Sequence, residues 1–352
     1  MKHLIDLDDF SIQELDQIVH KAVEIEAHPE AYYGKLSGKI LGTLFYEPST
    51  RTQMSFQTAM LKLGGQIIGF DNPQTSSVSK GENLKDTVKV ISNYADVIAI
   101  RHPSEGAAKA ASLVAECPII NAGDGGHLHP TQTLTDLVTL MHEKGHLDHL
   151  TIGLCGDLKF GRTVHSLIKA MIHYPGNKFI LISTKELTIP DYMKKIILNS
   201  NCEYEEISTL EEALPKLDVL YMTRIQRERF ESKEEYLKQK DVYRLDTQKM
   251  RLAPEDLCIL HPLPRVDEIE IAVDDDPRAV YFKQANHGVY ARMSLILHIL
   301  EQNTQTSIKG EIYPEKICSN SRCITQSETY LKRYFYRDKD GVMCCSYCDA
   351  HE

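Results

Sequence analysis

The sequence has no long apolar run and no excess of basic residues, and both absences narrow the possible functions. No stretch approaches the ~20 consecutive apolar residues that a transmembrane helix needs, and the first residues, Met1 to Asp6, lack the apolar core of a secretory signal peptide. The formal net charge is -10 at pH 7, whereas nucleic acids and anionic membrane surfaces reward a basic face. We therefore expect a cytoplasmic protein with no nucleic-acid partner and no membrane partner.

Several common catalytic and nucleotide-binding motifs are also missing. The glycines around Arg162 do not follow the G-x-G-x-x-G pattern of dinucleotide sites, and there is no G-x-x-x-x-G-K-[ST] phosphate loop. No G-x-S-x-G segment marks a hydrolase nucleophile. These absences disfavour a dehydrogenase, a P-loop nucleotidase and a serine hydrolase.

Apolar strand-like runs alternate with helix-like patterns along most of the chain. The runs lie near residues 40–46, 97–100, 118–120, 151–155, 178–183, 217–222 and 257–260. This alternation is typical of an α/β fold whose parallel sheets are covered on both faces. At 352 residues the chain is too long for one typical core, and we place a domain junction on the helical pattern that begins near His129. The charged segment 225–250 is interpreted as a surface loop or a solvated helix.

The stretch Glu47 to Gln53, here called the cradle, lies between a strand-like run and a helical pattern. A helix N-terminus has unpaired N–H groups and a partial positive charge, so it favours anions. Ser49, Thr50 and Thr52 add hydroxyl donors, and Arg51 adds a planar fork suited to phosphate. The alternative is that Ser49 or Thr50 is an ordinary N-cap and Arg51 a solvated charge; the cradle alone does not decide between them.

Polar residues follow the predicted strands at five further places, where ligands bind in open α/β sheets. These places are Arg101-His102-Pro103, Asn121-Ala122-Gly123 leading to His129-Pro130-Thr131-Gln132, Gly156-Asp157 with Gly161-Arg162-Thr163, Thr223-Arg224-Ile225-Gln226, and His261-Pro262-Leu263-Pro264-Arg265. A single strand-end arginine is usually a surface ion pair, and a single His-Pro is usually a turn. Their recurrence at strand ends favours a cleft for a small polyanionic substrate. The proline-rich stretches offer rigid backbone carbonyls that can hold an amino group.

The last 35 residues contain two closely spaced cysteine pairs. Cys318 and Cys323 are separated by four residues, and Cys345 and Cys348 by two, with 21 residues between the pairs. This spacing predicts a tetrahedral Cys₄ site for one structural Zn²⁺ per chain, whose binding is coupled to folding of the segment. A redox or incidental cysteine cluster is the alternative, and the sequence leaves open that Cys344 or His351 replaces a ligand.

The motifs together resemble the catalytic chain of aspartate carbamoyltransferases. They are, in chain order, Ser49-Thr50-Arg51-Thr52, Ser79-Lys80-Gly81-Glu82, Arg101-His102-Pro103, His129-Pro130-Thr131-Gln132, Gly161-Arg162-Thr163 and His261-Pro262-Leu263-Pro264-Arg265. The match spans residues 1 to about 306. The first motif is shared by carbamoyltransferases generally, whereas Lys80 and the His-Pro-Leu-Pro segment favour aspartate over ornithine as acceptor. The resemblance implies carbamoyl transfer from carbamoyl phosphate to L-aspartate in pyrimidine synthesis.

The resemblance also implies a role for each matching residue. Carbamoyl phosphate is expected to contact Ser49, Thr50, Arg51, Thr52, Arg101, His129, Gln132, Pro262 and Leu263, and aspartate to contact Lys80, Arg162, Arg224 and Gln226. Arg51, Thr52, Lys80, Arg101 and His129 are the expected catalytic residues. Family members supply Ser76 and Lys80 from a neighbouring subunit, so a catalytic trimer or an assembly of trimers is expected. Glu47 and Arg229 match positions that form ion pairs in the closed enzyme, although a purely structural role is an equal alternative.

The expected organisation is two doubly wound parallel-sheet domains with a small zinc domain. Residues 1–135, completed by a C-terminal helix at 286–306, are expected to bind carbamoyl phosphate, and residues 136–285 to bind aspartate. Residues 307–352 are expected to form a β-rich zinc-binding domain. Cys318 to Ile324 resembles the zinc domain of the separate regulatory chain of bacterial enzymes, here fused to the catalytic chain, which implies an assembly or interface role.

The sequence departs from the family pattern at two positions of the cradle. Gln53 stands where an arginine commonly follows the cradle motif, and Pro48 replaces a small residue. Both substitutions leave every expected ligand in place. The rival functions are a carbamoyltransferase for another amino acid and a zinc-stabilised binding or regulatory protein on a retired enzyme scaffold.

Overall fold

Two parallel β-sheets and one small antiparallel sheet organise the chain. The structure is a computed structural model that describes residues 2–225, 234, 243–301 and 308–352. The chain divides into unit 1, made of Met1–Thr131 and Val289–Glu352, and unit 2, made of Gln132–Gly288. The parallel sheets, one in each unit, confirm the predicted α/β fold class.

The sheet of unit 1 has four strands in the order β2-β1-β3-β4, all parallel. The strands are β1 (Ile40–Phe45), β2 (Gln66–Phe70), β3 (Val97–His102) and β4 (Ile119–Asp124). The α-helices that begin in this unit are α1 (Ile12–Ala27), α2 (Thr50–Lys62), α3 (Leu84–Ile91), α4 (Ala107–Ser112) and α5 (Pro130–Lys144). The continuous apolar character of β1 and β3 is explained by burial, because Leu41, Leu44, Val97 and Ile98 are all fully enclosed.

The sheet of unit 2 has five parallel strands in the order β7-β6-β5-β8-β9. They are β5 (Thr151–Cys155), β6 (Lys178–Ile182), β7 (Glu203–Ile207), β8 (Val219–Met222) and β9 (Cys258–Leu260). The helices that begin here are α6 (Arg162–Met171), α7 (Asp191–Asn199), α8 (Leu210–Ala213) and α9 (Tyr281–Glu301). The amphipathic pattern of α6 follows from burial of Val164, Leu167 and Ile168 on one side of the helix.

The C-terminal segment 308–352, here called the tail, belongs to unit 1. It contains the antiparallel strands β10 (Glu311–Ile312), β11 (Tyr334–Arg337) and β12 (Met343–Cys345) and the short helix α10 (Ile324–Ser327). Buried tail residues, including Phe335 and Tyr347, share one hydrophobic cluster with the alanines of α4. The tail therefore completes its small core by packing against α4 and its neighbours in the rest of unit 1.

The seven predicted strands are all present, as β1, β3, β4, β5, β6, β8 and β9. Strands β2 and β7 were not predicted, and each lies at the edge of its sheet. The last long helix begins at Tyr281, five residues before the predicted start at 286, and is described as far as Glu301. No α-helix in the described parts of the chain combines the length and apolar character that a membrane crossing requires.

Candidate active site and metal centre

The cradle connects the end of β1 to the start of α2. Ser49 is at the N-cap position, but its side chain makes no capping hydrogen bond. Its Oγ instead donates to Oγ1 of Thr52 at 3.0 Å. Thr52 is buried and Arg51 is exposed. The ordinary N-cap interpretation therefore fails for Ser49, whose hydroxyl leaves the first N–H groups of α2 available to an anion.

Arg101 lies near the end of β3, beside the cradle, and its side chain is almost enclosed. Its side chain is 11% exposed, with Nη2 3.2 Å from Oε2 of Glu47. Its Nη1 donates to the carbonyl oxygen of Ala122 at 3.4 Å. Burial lowers the pKa of Arg101, Glu47 opposes this change, and the charge of Arg51 reinforces it. The guanidinium is thus a poorly solvated cation, which favours binding of an anion or a polarised oxygen.

His129 approaches Arg101 across Gly123, which lies at the end of β4. A Cβ atom at Gly123 would be 2.7 Å from Arg101 Nη1 and 3.7 Å from His129 Cδ2, and the backbone there has φ +124°. His129 is buried, and its Nδ1 is 3.5 Å from Oγ1 of Thr131. The structure therefore gathers Arg101 and His129 at the carboxyl ends of neighbouring strands, as the sequence predicted.

Ser76 lies between two short 3-10 helices, Pro73–Thr75 and Ser77–Lys80, and Lys80 ends the second of them. Ser76 Oγ donates to the carbonyl of Pro73 at 2.8 Å. Lys80 is exposed, and its side chain makes no hydrogen bond or ion pair with another residue that the structure describes. Neither residue contributes to the cradle of its own chain through such a contact.

In unit 2, Arg162 and Arg224 follow neighbouring strands. Arg162 begins α6 after β5, and Arg224 comes directly after Thr223 at the end of β8. The Thr223 hydroxyl ties the two strand ends together, because it donates to the carbonyl of Cys155 at 2.9 Å and accepts from the N–H of Asp157 at 3.2 Å. Both arginines are partly buried, and paired guanidinium groups suit a dicarboxylate. The expected ligand Gln226 and the expected ion-pair residue Arg229 lie outside the described residues.

The segment after β9 is held in a defined shape by His261. Nδ1 of His261 accepts a hydrogen bond from the N–H of Leu263 at 2.8 Å. The ring proton must then be on Nε2, which donates to Oε1 of Glu268 at 2.8 Å. Burial would raise the pKa of Glu268, but hydrogen bonds from His261 and from the backbone outweigh it and lower the pKa. Leu263 has a left-handed backbone with φ 54°, so the carbonyls of Pro262 and Leu263 are fixed by these contacts.

A buried hydrogen-bond network, which sequence reasoning missed, links this segment to Gln132. Oδ1 of Asp136 accepts from the amides of Gln132 at 2.9 Å and Gln284 at 2.6 Å. Oδ2 of Asp136 accepts from the hydroxyl of Tyr221 at 3.1 Å. Oε1 of Gln284 in turn accepts from the N–H of His261 at 2.9 Å. The two expected contacts for an amino group, Gln132 and the carbonyls after His261, are therefore positioned by one carboxylate.

Arg265 has a structural partner in the same unit. Its guanidinium pairs with Asp274 and donates to the hydroxyl of Tyr281 at 2.9 Å. The hydrogen bond that Arg265 donates to Asp274 raises the pKa of Arg265 despite partial burial. This arginine stabilises the segment after β9, so its position at a strand end does not by itself indicate a ligand contact.

The tail brings its four expected metal ligands together. Cys318, Cys323, Cys345 and Cys348 are buried, and their Sγ atoms all lie within 4.8 Å of one another. The sulfurs of Cys318 and Cys348 are 3.6 Å apart, and those of Cys323 and Cys345 are 3.8 Å apart. A tetrahedral ZnS₄ centre with bonds of about 2.3 Å has sulfur–sulfur distances of about 3.8 Å. Four thiol sulfurs at this spacing fit a zinc ion.

The first cysteine pair is attached to the loop that follows Arg101. The N–H of Glu105 donates to the carbonyl of Arg322 at 2.9 Å, and the N–H of Ile324 donates to the carbonyl of Glu105 at 2.8 Å. The Glu105 carboxylate also pairs with Arg322 at 2.9 Å and accepts from Asn320 at 2.7 Å. A buried carboxylate and its backbone therefore join the tail to the end of β3.

His127 forms a second attachment, on the loop that precedes His129. Its Nδ1 is 3.2 Å from Asp124, and its Nε2 is 3.2 Å from Asp349 of the tail. Burial alone would lower the pKa of His127, but Asp124 and Asp349 outweigh burial and raise it to about 10. The protonated imidazole thus bridges two carboxylates. The loop that follows β3 and the loop that leads to His129 are therefore both in contact with the tail.

Two family models match the chain in sequence. The carbamoyl-phosphate-binding domain of aspartate/ornithine carbamoyltransferases matches residues 2–142. The Asp/Orn binding domain of the same family matches residues 148–299. The tail lies beyond both matched ranges.

Curated proteins that are similar in sequence to this chain belong to the same family as these models. The aspartate carbamoyltransferase catalytic subunit of Clostridium perfringens is 61% identical over 300 residues, covering 85% of this chain and 98% of that protein. The corresponding subunit of Clostridium novyi is 59% identical over 299 residues, with the same coverage of 85% and 98%.

Two solved structures extend the comparison to the fold. The catalytic subunit of M. jannaschii aspartate transcarbamoylase has a TM-score of 0.81 and 46% identity, covering 86% of this chain and 98% of its own. Aspartate transcarbamoylase from Trypanosoma cruzi, in complex with carbamoyl phosphate and aspartate, has a TM-score of 0.79 and 37% identity, covering 85% and 96%. The chain therefore belongs to the aspartate carbamoyltransferase family, as a catalytic chain.

Proposed function

We propose that this aspartate carbamoyltransferase binds carbamoyl phosphate through residues 1–135 with the helix at 286–306, and L-aspartate through residues 136–285. The observation that carries the proposal is the grouping of Arg101 and His129 across Gly123, beside a cradle whose N-cap serine does not cap its helix. The T. cruzi enzyme, whose structure was solved with both substrates, supports the same ligands for this chain. The product is N-carbamoyl-L-aspartate, an intermediate of pyrimidine synthesis.

The cradle is proposed to hold the phosphate group. Ser49, Thr50 and Thr52 supply hydroxyl donors at the start of α2, and Arg51 supplies a bidentate guanidinium. The backbone N–H groups of the first helical turn add further donors. Pro48 and Gln53 flank these ligands without replacing any of them.

Thr52, Arg101 and His129 are proposed to polarise the carbonyl oxygen of carbamoyl phosphate. The lone pair of the aspartate amine attacks the carbonyl carbon, and negative charge develops on that oxygen in the tetrahedral transition state. The bond from carbon to the bridging phosphate oxygen then breaks, and the departing phosphate accepts the amine proton. Loss of one such donor typically lowers kcat by about 10²–10³-fold.

The carbamoyl amino group is proposed to contact Gln132 and the carbonyls of Pro262 and Leu263. The Asp136 network supports this assignment, since it orients Gln132 and the segment after β9 together. Arg162, Arg224 and Gln226 are proposed to bind the two carboxylates of aspartate. The partly buried positions of Arg162, at the start of α6, and Arg224, just after β8, support this assignment for the two arginines.

Lys80 and Ser76 are proposed to act in the active site of a neighbouring subunit, within a homotrimer or an assembly of trimers in the cytoplasm. The exposed position of Lys80, without a partner among the described residues of its own chain, supports this role. Lys80 is proposed to contact both substrates there. An isolated subunit would then lack part of its site.

The experiment that tests the function is incubation of the purified protein with carbamoyl phosphate and a panel of amino acids. We expect carbamoylated product with aspartate and none above background with ornithine. Product with another amino acid and none with aspartate would favour the rival carbamoyltransferase, and no product with any amino acid would favour a retired enzyme. His129→Asn should lower kcat by about 10²-fold or more, whereas His149→Asn, at an exposed histidine of unit 2, should leave kcat unchanged.

The four buried cysteines of residues 307–352 are proposed to hold one structural Zn²⁺ per chain. The ion would cross-link segments that have little core of their own and stabilise the tail on the loops after β3 and β4. We expect one zinc per chain in the purified protein by elemental analysis. Cys318→Ser should lose this zinc, and Cys202→Ser, in unit 2, should keep it. Equal zinc in both variants would contradict the assignment.

A further inference from the structure

A second group of metal-ligating side chains lies in the tail, separate from the four cysteines. It consists of Asp338, Cys344 and His351, whose ligand atoms all lie within 4.8 Å of one another. Successive side chains of a strand point to opposite faces, so Cys344 and Cys345 in β12 face opposite ways. Cys344 and His351, which the sequence left open as substitutes in the Cys₄ site, therefore belong to this other cluster.

The backbone brings the three donors together from three different segments. Asp338 begins the turn between β11 and β12, where Gly341 has φ +79°. Cys344 lies in β12, and His351 pairs with it in an antiparallel bridge. This bridge is flanked by hydrogen bonds from the N–H of Cys345 to the carbonyl of Ala350 at 3.0 Å, and from the N–H of Glu352 to the carbonyl of Met343 at 2.9 Å. The positions of the donors are thus fixed by main-chain hydrogen bonds.

The two oxygens of the Asp338 carboxylate have different partners. Its Oδ1 accepts from the N–H groups of Asp340 at 3.0 Å and Val342 at 2.8 Å, which closes the turn. Its Oδ2 is 3.5 Å from Nε2 of His351. Tetrahedral coordination with bonds of about 2.0–2.1 Å places nitrogen and oxygen ligands about 3.3–3.5 Å apart. The oxygen not used by the turn is therefore at a ligand–ligand distance from the imidazole.

We propose that Asp338, Cys344 and His351 bind a second divalent metal ion of the zinc class. A thiolate with an imidazole suits Zn²⁺ or Co²⁺, whereas Mg²⁺ and Ca²⁺ prefer oxygen ligands. The three donors leave one coordination position for water, unlike a closed structural Cys₄ site. The thiol is buried and the imidazole is exposed, so the ion enters from the side of the C-terminal residues and fixes them to the turn.

An ordinary ion pair between His351 and Asp338 is the competing explanation for the 3.5 Å contact. It requires neither Cys344 nor a metal ion. The two explanations differ in metal stoichiometry and in the effect of removing the thiol.

The test is equilibrium titration of the zinc-loaded, full-length protein with Co²⁺, measuring bound cobalt and cobalt–thiolate absorption. The wild type should bind about one additional Co²⁺ per chain while retaining its original zinc. Cys344→Ser should abolish the new cobalt–thiolate absorption. His351→Gln changes an exposed side chain near the C-terminus and should weaken cobalt binding at least about tenfold.

Asp340→Asn is the matched control, since Asp340 is exposed in the same turn but is outside the donor set. It should bind cobalt as the wild type does. Absence of additional cobalt in the wild type, or equal binding by the wild type and His351→Gln, would overturn the proposal. Cys318→Ser removes a ligand of the other cluster only, so failure of the Cys₄ assignment is distinguishable from failure of this one.

Discussion

Asp136 connects residues that are far apart in the sequence, and its neighbours explain how unit 2 positions Gln132. The carboxylate accepts hydrogen bonds from Gln132, Gln284 and Tyr221. Because Asp136 is fully buried, each donor offsets part of the cost of enclosing a negative charge. Loss of one donor should therefore affect stability and the shape of the site together.

Gln284→Leu tests this coupling. The change leaves the buried N–H of His261 without its acceptor and removes one donor from Asp136, so we expect a loss of about 1–3 kcal/mol in the free energy of unfolding. Because the segment after His261 then loosens, kcat/KM for carbamoyl phosphate should also fall. Urea unfolding and steady-state kinetics provide the two measurements.

Gln66→Leu is a matched control, since Gln66 is exposed on the edge strand β2. It should change neither quantity appreciably. A Gln284→Leu enzyme with wild-type stability and kinetics would show that the network does not position the site.

The stability of unit 1 should fall at alkaline pH, because His127 loses its proton there. Its pKa is raised from 6.5 to about 10, despite burial, by Asp124 and Asp349. A raised pKa means that the fold favours the protonated form, so the stabilisation is complete below about pH 6.5 and is lost as the pH rises through about 10. His127→Gln should be less stable than the wild type by about 1.5–3 kcal/mol near pH 6, and the difference should shrink toward alkaline pH.

The difference is measured as the urea midpoint of both proteins across this pH range. His149→Gln, at an exposed histidine, should show no such convergence. A stability difference that stays constant from neutral pH to beyond about pH 10 would contradict a role for the charge of His127.

The positions of candidate site residues were predictable where a polar residue follows a strand, but the residues that support them were not. Arg101 and His129 come together because the carboxyl ends of parallel strands meet at one edge. Gln284 is 148 residues from Asp136, and neither has a sequence pattern that signals the contact. The grouping of the four cysteines was predictable from spacing, whereas the 3.6 Å approach of the Cys318 and Cys348 sulfurs depends on the fold of the tail.

The predicted strands are largely buried, including β4 and β9 at sheet edges, whereas the two missed strands, β2 and β7, are edge strands with exposed positions. β7, with the sequence Glu-Tyr-Glu-Glu-Ile, has one neighbour and an exposed side, so it lacks the apolar run of a central strand. β2 likewise has exposed positions at Gln66 and Gly69. Hydrophobic runs therefore identified the buried strands, whether central or at an edge, and the exposed edge strands required tertiary information.

The start of α4 is shaped for contact with the tail, and Gly106→Ala should weaken that contact. Gly106 has φ +86°, and an added Cβ would lie 2.7 Å from backbone atoms of Tyr347. The N–H groups of Glu105 and Ile324 donate across this contact. Their hydrogen exchange should accelerate in the variant, as measured by amide exchange with mass spectrometry.

Gly38→Ala is the matched control because Gly38 has φ +81° with nothing within 4 Å. Both variants incur the backbone cost of a left-handed alanine, about 1 kcal/mol, but only Gly106→Ala should accelerate exchange at Glu105 and Ile324. Equal acceleration in both would indicate that backbone strain, and not the tail contact, is responsible.

A proposed site shared between subunits makes a prediction for the complete assembly. Lys80→Ala and His129→Ala chains should each be nearly inactive, whereas unfolding and refolding them together should restore activity. In a random 1:1 mixture of a cyclic homo-oligomer, about one quarter of the sites combine an intact His129 with an intact Lys80 from the neighbour. The kcat of the refolded mixture relative to wild type is the measurement.

The control is Lys80→Ala protein that is unfolded and refolded alone, which should recover no activity. If the mixture of the two variants also stays inactive although it assembles to the wild-type size, Lys80 serves its own chain or no site at all.

Because the tail is covalently linked to the rest of unit 1, the contact between them does not depend on the protein concentration. The tail touches the loops after β3 and β4 within a single polypeptide, so its effective concentration at those loops is set by the connecting segment and not by the amount of protein present. Dilution, which separates independent subunits, leaves this contact unchanged. The ratio of the tail to the rest of the chain is likewise always one to one, whatever the level of expression.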